Sequence, residues 1–191
     1  MTLRLDALTA EQCEQARQWR NLTPEVWRTP FLLTQVQQAD FYRDVVSGRN
    51  YPGRYWAVLE EECYWGAAEF VGMVGLIPIS FENGWGEISI VVRPEKRHTG
   101  LGRQVVRLLL QEAFERLRLE TVVAEVYESN ETALAFWRSI ADEYAAHTTR
   151  LPRRKFWHGK LWASLLVTIA REDYETVVKL PAGQTEVSRG L

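Results

Sequence analysis

Residues 88–102 combine glycine and cationic side chains in a pattern suited to binding an anion. Gly100 and Gly102 come directly before a long amphipathic segment, and Arg97 and Arg103 flank them. The first amides of a helix have no partner within the helix and lie at the positive end of its dipole. A phosphate can approach these amides closely at glycine, because glycine has no Cβ. The pattern therefore predicts a phosphate-binding loop at residues 97–102.

Two other phosphate-binding loops do not fit this segment. A P-loop ends in Gly-Lys followed by Ser or Thr, whereas Arg103 follows the second glycine here. The dinucleotide fingerprint needs a third glycine where Val105 is found. The alternative is a glycine-rich turn that only begins a helix. The position of the segment, between a predicted strand and the most amphipathic helix, favours anion binding.

Hydrophobic periodicity predicts the elements that must position this loop. Alternating apolar residues predict strands at 55–59, 69–76 and 85–92, joined as an antiparallel meander. A helix with one apolar face follows the loop. That face comprises Val105, Val106, Leu109, Leu110, Ala113, Phe114 and Leu117. A strand at 122–127, a helix at 131–140 and a pair of strands around the turn His158-Gly159 complete the order.

Two helices are predicted before this sheet, preceded by a short alternating stretch at Leu3 and Leu5. Capping boxes at residues 9–12 and 34–37 mark where the helices begin. The second helix is expected to end at Gly48, and four residues are expected on its apolar face. These are Val36, Ala39, Tyr42 and Val46. The chain is predicted to form a single domain over residues 1–180 with a polar tail at 181–191.

Composition narrows the classes of function. The 191 residues are 46% hydrophobic and carry a net charge of -2, so we expect a globular core and no nucleic-acid partner. Cys13 and Cys63 are too few for a disulfide framework or a metal site. The longest nearly apolar run, 161–170, is too short to cross a bilayer. We therefore expect a cytoplasmic protein without a metal or a membrane partner.

Residues 92–102 resemble the acetyl-CoA signature of the GNAT superfamily of acetyltransferases. Residues 130–139 are similar to a later motif of that superfamily, in which Asn130 begins a helix and an aromatic residue, Trp137, follows seven positions later. Looser similarity at 18–21 and 156–162 indicates the branch with ribosomal-protein alanine and aminosugar acetyltransferases.

The resemblance implies an α/β (α+β) fold, with a mixed, mostly antiparallel central sheet and helices on both faces. The sheet would be splayed between the strands at 85–92 and 122–127, and acetyl-CoA would bind there as co-substrate. The residues implied in binding it are the backbone of Ile90, Val91 and Val92, with Arg97, His98, Thr99, Gly100, Leu101, Gly102, Arg103, Asn130 and Trp137.

The resemblance also implies that an amine attacks the thioester directly, which requires a base for the ammonium. Alternation puts Glu87 on the same strand face as Trp85 and Ser89, and family members often carry an acidic general base near this position. Glu87 is therefore the predicted base, with Glu125 and Tyr127 in reserve. A solvated strand carboxylate is the alternative role for Glu87.

Trp137 departs from the family pattern, because many members carry there a Tyr thought to protonate the departing thiolate. Indole is not such an acid. Either Tyr127 or Tyr144 supplies the proton, or the thiolate leaves unaided, which a thiol pKa of about 8.5 allows. The missing Tyr also motivates an alternative function, a non-catalytic acyl-CoA-binding sensor or scaffold.

The acceptor is expected to be a primary amine, on a small molecule, an aminosugar or a protein N-terminus. Several aromatic residues are candidates for the wall of its pocket, with core packing as their alternative role. They are Trp19, Trp27, Phe31, Tyr51, Tyr55, Trp56 and Trp85. A homodimer is compatible with all of these features.

Overall fold

The computed structural model describes residues 2–48, 52–61 and 68–179. The strands within these residues are β1 (Thr2–Ala7), β2 (Arg54–Glu61), β3 (Glu69–Ser80), β4 (Trp85–Val92), β5 (Thr121–Tyr127), β6 (His147–Trp157) and β7 (Lys160–Ala170). They form one sheet in the order β1-β2-β3-β4-β5-β7-β6. Tyr51, Cys63 and the predicted tail at 181–191 lie outside the described residues.

Helices pack on both faces of this sheet. They are α1 (Ala10–Asn21), α2 (Gln35–Phe41), α3 (Leu101–Gln111), α4 (Glu131–Glu143) and α5 (Arg171–Lys179). Both predicted capping boxes are confirmed, since Thr9 and Thr34 each exchange hydrogen bonds with the glutamine three residues later. The α2 and α3 helices each continue into a wider π-helical turn, at 42–46 and 112–116.

The two faces of the sheet have separate apolar clusters. Val105 and Leu109 of α3 are fully buried against the first face, in the cluster that also holds Val122 of β5. Cys13 and Ala16 of α1 are buried against the second face. The predicted apolar face of α3 is confirmed, although Leu117 at its end is only partly buried. Removing this apolar surface from water is the main force that holds the layers together.

Two expectations need correction. In α2, Val36 is 70% exposed and Ala39 is exposed, whereas Gln38 is buried. Tyr42 and Val46, in the π-turn that follows, do pack against the second cluster, so the predicted face is wrong only at Val36 and Ala39. Gln38 is buried in their place because its side chain hydrogen-bonds to the buried Cys13 of α1. Helix α5 is absent from the sequence-based expectations, although its Tyr174 is buried in the core.

The strands β4 and β5 pair over three positions only and then separate. The pairs are Trp85 with Thr121, Gly86 with Val122 and Glu87 with Val123, and this pairing is parallel. Beyond them β4 stays paired with β3 as far as Val92, and β5 stays paired with β7 as far as Tyr127. The predicted splay is confirmed. It opens a cleft between the two strands, beginning at Glu87.

Strand β6 is an outer strand of the sheet, and its pairing with β7 is interrupted. The register shifts between Leu151 and Lys155, and Arg153 within this stretch has a left-handed φ of 57°. An interruption of this kind changes which face the following side chains occupy.

Candidate active site

The start of α3 provides backbone donors at one side of the cleft. Gly100 is the N-cap residue, with a φ of 85°, a conformation that favours glycine. The first amide of the helix to find a partner is that of Gln104, which donates to the Gly100 carbonyl at 3.4 Å. The amides of residues 101–103 therefore have no helical partner and can bind an anion.

The surroundings of the two glycines differ. A Cβ on Gly100 would meet nothing within 4 Å, so glycine is required there by the backbone conformation and the approach stays open. A Cβ on Gly102 would come 3.4 Å from the Phe136 ring of α4. The absence of side chains at both positions leaves room for a phosphate beside the helix start.

The cations near this loop are engaged in different ways. Arg97 donates from Nε to the Val92 carbonyl at 3.3 Å, and it forms no ion pair with any described residue. Arg103 instead pairs with Glu143 of α4 and donates to Ser139 Oγ at 3.2 Å. Arg97 is therefore the arginine of this loop whose charge is available to an anionic ligand. The charge of Arg103 is already paired with Glu143 of α4.

The remaining loop residues have local roles. Thr99 donates from Oγ1 to the Lys96 carbonyl at 2.8 Å, which holds the turn before Gly100. His98 is exposed and has a positive φ of 62°. Leu101 is 4% exposed and anchors the start of α3 in the core. The loop is therefore fixed at both ends, with its glycines at the surface.

The opposite side of the cleft is formed by the connection between β5 and α4. Asn130 accepts a hydrogen bond from the Ala133 amide at 3.1 Å, which confirms its role as N-cap. The adjacent Ser129 Oγ is buried and has no hydrogen-bond partner among the residues described. Buried polar atoms are rarely left unpaired in proteins, so Ser129 fits a polar ligand atom reaching this point.

Trp137 lies in the core of the domain. Its side chain is 5% exposed and packs edge-on against Phe136, with ring centroids 5.3 Å apart. Tyr144 is also buried, and it stacks with Tyr174 at 6.5 Å. Of the two tyrosines considered as proton donors, only Tyr127 lies on a strand that borders the cleft.

Glu87 and Glu125 are brought together by an arginine that the sequence analysis did not single out. Arg28, from the connection between α1 and α2, donates from Nη2 to Glu87 Oε1 at 2.5 Å and to Glu125 Oε2 at 3.2 Å. Burial acts to lower the pKa of Arg28, but hydrogen bonds to Glu87 and Tyr127 outweigh it and raise this pKa. The guanidinium therefore remains charged beside the two carboxylates.

The two carboxylates differ in how fully they are engaged. Glu125 is 8% exposed on its side chain and also accepts from Arg154 Nε at 2.9 Å and from Ser164 Oγ at 2.6 Å. Burial alone would raise the pKa of Glu125, but Arg154 and Ser164 outweigh it and lower this pKa. Glu87 is 18% exposed and has Arg28 as its ion-pair partner. Glu87 is thus the carboxylate with fewer partners and the greater exposure to the cleft.

Lys155 connects this site to the edge of the sheet. It is 6% exposed, and its ammonium lies 5.0 Å from the centre of the Tyr127 ring. Nζ donates to the carbonyls of Glu25 and Trp27, at 2.8 Å for Trp27. Burial lowers the pKa of Lys155. The hydrogen bonds from Lys155 therefore hold the loop before Arg28 against β6.

The aromatic residues predicted to surround the acceptor do not form one wall. Trp19 stacks on Phe70 at 5.1 Å in the cluster under α1, whereas Trp56 packs in the cluster on the opposite face. Phe31 is 50% exposed. Trp27 and Trp85 remain as candidates, because Trp27 precedes Arg28 and Trp85 is two residues from Glu87.

The described part of the chain contains no group of three or more His, Cys, Asp or Glu residues able to hold a metal ion. None of its helices is long and apolar enough to cross a membrane.

The domain is therefore a mixed α/β sheet that parts between two parallel strands, next to a helix whose N-cap is a glycine without a side-chain cap. The profile of the family described as "Acetyltransferase (GNAT) domain" matches residues 2–140. The chain belongs to this GNAT acetyltransferase family.

Solved structures with the same fold include spermidine N-acetyltransferases from Vibrio cholerae. One, in complex with CoA and spermine, has a TM-score of 0.75 and 18% identity, over 91% of this chain and 98% of the other. Mutant forms of the spermidine/spermine enzyme have a TM-score of 0.76 and 20% identity, over 93% and 98% of the two chains. No curated protein sequence matches this chain significantly.

Proposed function

We propose that this protein is an acetyl-CoA-dependent N-acetyltransferase that acetylates a primary amine by direct attack on the thioester. The observation that carries the proposal is the parting of β4 and β5 directly after Glu87, with the free amides of α3 on one side of the opening. Acetyl-CoA supplies the activated acetyl group. An acetyl-CoA-dependent reaction also fits the cytoplasmic location expected from the sequence.

The residues that would hold acetyl-CoA are those at the helix start and along the open strand edge. The amides of Leu101, Gly102 and Arg103 and the charge of Arg97 suit a diphosphate. The unpaired edge of β4 at residues 90–92 suits the amide groups of the pantetheine arm, which can pair with it as an added strand does. Ser129 Oγ offers a further polar contact.

Glu87 is the proposed base. An amine is largely protonated at neutral pH, and its nitrogen attacks only after losing a proton. Glu87 can take this proton directly or through a water molecule. Tyr127 is the proposed donor to the thiolate, because it borders the cleft and shares a strand face with Glu125.

An acceptor screen tests the proposal. The protein is incubated with acetyl-CoA and with a polyamine, an aminosugar or a peptide with a free N-terminus, and released thiol and acetylated product are measured. A peptide with a blocked N-terminus is the matched control. We expect thiol release with at least one free amine and none with the blocked peptide. Thiol release that does not depend on an amine would count against amine acetylation.

The alternative function is a domain that binds acyl-CoA without transferring the acyl group. The burial of Trp137, where many relatives carry a Tyr, is the observation that favours it. Tight acetyl-CoA binding with no acetylated product across the screen would support this alternative.

A further inference from the structure

Arg28 is a charged residue at the acceptor side of the cleft that the proposed chemistry does not use. Its side chain is 57% exposed, although its guanidinium contacts both Glu87 and Glu125. Both contacts are made by Nη2. Tyr127 also hydrogen-bonds to this guanidinium, and neither carboxylate takes the donors on Nε and Nη1. Guanidinium donors of this kind match the oxygens of a carboxylate or a phosphate.

The position of Arg28 is fixed by a contact between distant parts of the chain. Lys155 donates to the carbonyls of Glu25 and Trp27, and Trp27 is the residue directly before Arg28. The ammonium of Lys155 is buried under Tyr127, so it is not free to move into solvent. The loop that carries Arg28 is thus anchored to β6 next to the two carboxylates.

The interruption in β6 brings a second cation to the same place. Successive residues of a regular strand point to opposite faces. Arg154 contacts Glu125 and Lys155 lies against Tyr127, and these two partners share one face of β5. The shift in register and the left-handed Arg153 allow both side chains to reach this face.

Together these groups make the acceptor side of the cleft unfavourable for a polycation. Two cations, Arg28 and Arg154, contact the two carboxylates Glu87 and Glu125, and a third, Lys155, lies against the neighbouring Tyr127 ring. The negative charge that would attract a polyamine is therefore already compensated within the protein. An amine that also carries an anion can instead place its nitrogen near Glu87 and its anion on the open side of Arg28.

We propose that Arg28 determines the charge of the acceptor: the site selects amines with a carboxylate or phosphate close to the amino group and disfavours polyamines. Lys155 is the residue that positions Arg28. This inference rests on the proposed function, because it assumes that the acceptor amine binds beside Glu87.

Equilibrium binding to the CoA-saturated protein tests this selectivity without turnover. Calorimetric titrations use two matched pairs, an amino acid with its carboxamide and glucosamine 6-phosphate with glucosamine, together with spermidine. We expect the anionic member of one pair to bind about tenfold or more tightly than its neutral partner, the factor for one charge-assisted hydrogen bond. The pair that shows the preference identifies carboxylate or phosphate. Spermidine should bind more weakly than that anionic amine.

Variants test whether the preference for the anionic amine depends on Arg28 and on Lys155. Arg28→Gln should abolish the preference for the anionic amine, and Arg28→Lys should retain part of it, since the charge remains but the paired donors are lost. Lys155→Met should reduce the same preference although Arg28 is present. Arg150→Gln is the matched control, because Arg150 is an exposed β6 arginine paired with Glu128 and not with Glu87 or Glu125.

The inference is overturned if no anionic amine binds more tightly than its neutral partner, if spermidine binds most tightly, or if Arg28→Gln leaves the preference unchanged. The proposed function fails through a different result. If CoA does not bind, or if bound amines are never acetylated from acetyl-CoA, the enzyme assignment is wrong whatever the binding preference.

Discussion

Replacement of Glu87 by Gln separates catalysis from folding. The change keeps the shape of the side chain but removes its charge and its ability to accept a proton. The change removes the ion pair between Glu87 and Arg28, and the Arg28 side chain is 57% exposed. Glu87 itself is 18% exposed, and a pair that solvent still screens through its arginine contributes about 0–1 kcal/mol to stability. In a domain of this size we therefore expect the melting temperature to fall by no more than about 2–4 °C.

The catalytic effect should be much larger. A positioned general base contributes about 10²- to 10⁴-fold to the rate, which corresponds to about 3–5 kcal/mol of barrier. We expect kcat in the thiol-release assay to fall by this factor in Glu87→Gln. CoA affinity, measured by titration, should be unchanged, because Glu87 is not among the residues proposed to hold CoA.

A matched control is available in Glu14→Gln. Glu14 has a similar exposed fraction, 29%, and also pairs with one arginine, Arg17, but it lies on α1. It should retain full turnover. If Glu87→Gln is as active as the wild type, Glu87 is not the base. If both variants lose activity equally, the loss reflects structure and the reasoning fails.

Three further predictions concern the loop, the α4 cap and the carboxylate pair. Arg97→Ala should weaken binding of CoA about tenfold or more while sparing a pantetheine analogue without the diphosphate, since a charge-assisted hydrogen bond contributes about 1.5–3 kcal/mol. Gly100→Ala should act in the same direction, because a Cβ at a φ of 85° strains the start of α3. Equal weakening of both ligands would make the loop structural. Asn130→Ala should lower the free energy of unfolding by about 1 kcal/mol, measured by urea denaturation, because the Ala133 amide loses its acceptor; an unchanged value would contradict the cap. Glu125→Gln should be less stable than the wild type at pH 7, and this difference should shrink in acid. The pKa of Glu125 is lowered in the folded protein, so its stabilisation is present above the ordinary value of 4.5 and is lost as pH falls through the folded value; a difference that persists to pH about 2 would refute the ion-pair explanation.

Much of this architecture is predictable from sequence because its signals are local. A capping box lies within four consecutive residues, and the alternation in β4 determines which side chains share the face of Glu87. The glycine-led start of α3 and the N-cap Asn130 are equally local. The splay followed from the family resemblance, and the end of β4–β5 pairing at Glu87 confirms it.

The parts that could not be predicted depend on contacts between distant residues. Arg28 meets Glu125 across 97 positions of sequence, and Lys155 meets the carbonyl of Trp27 across 128. A single sequence carries no periodicity or spacing that marks such pairs. The mispredicted residues of α2 have the same origin, because Gln38 is buried through its hydrogen bond to Cys13 of α1, whereas Val36 is left exposed.

The outer strand β6 has one further consequence for how the protein behaves at high concentration. An exposed strand edge can recruit another chain and start aggregation, and proteins prevent this with proline, positive charge and irregular pairing. All three occur between Leu151 and Lys155, where Pro152 lies next to Arg153 and Arg154 and the register shifts. The stretch of β6 that brings two cations to the acceptor side thus also protects the sheet from fibril-like growth at this edge.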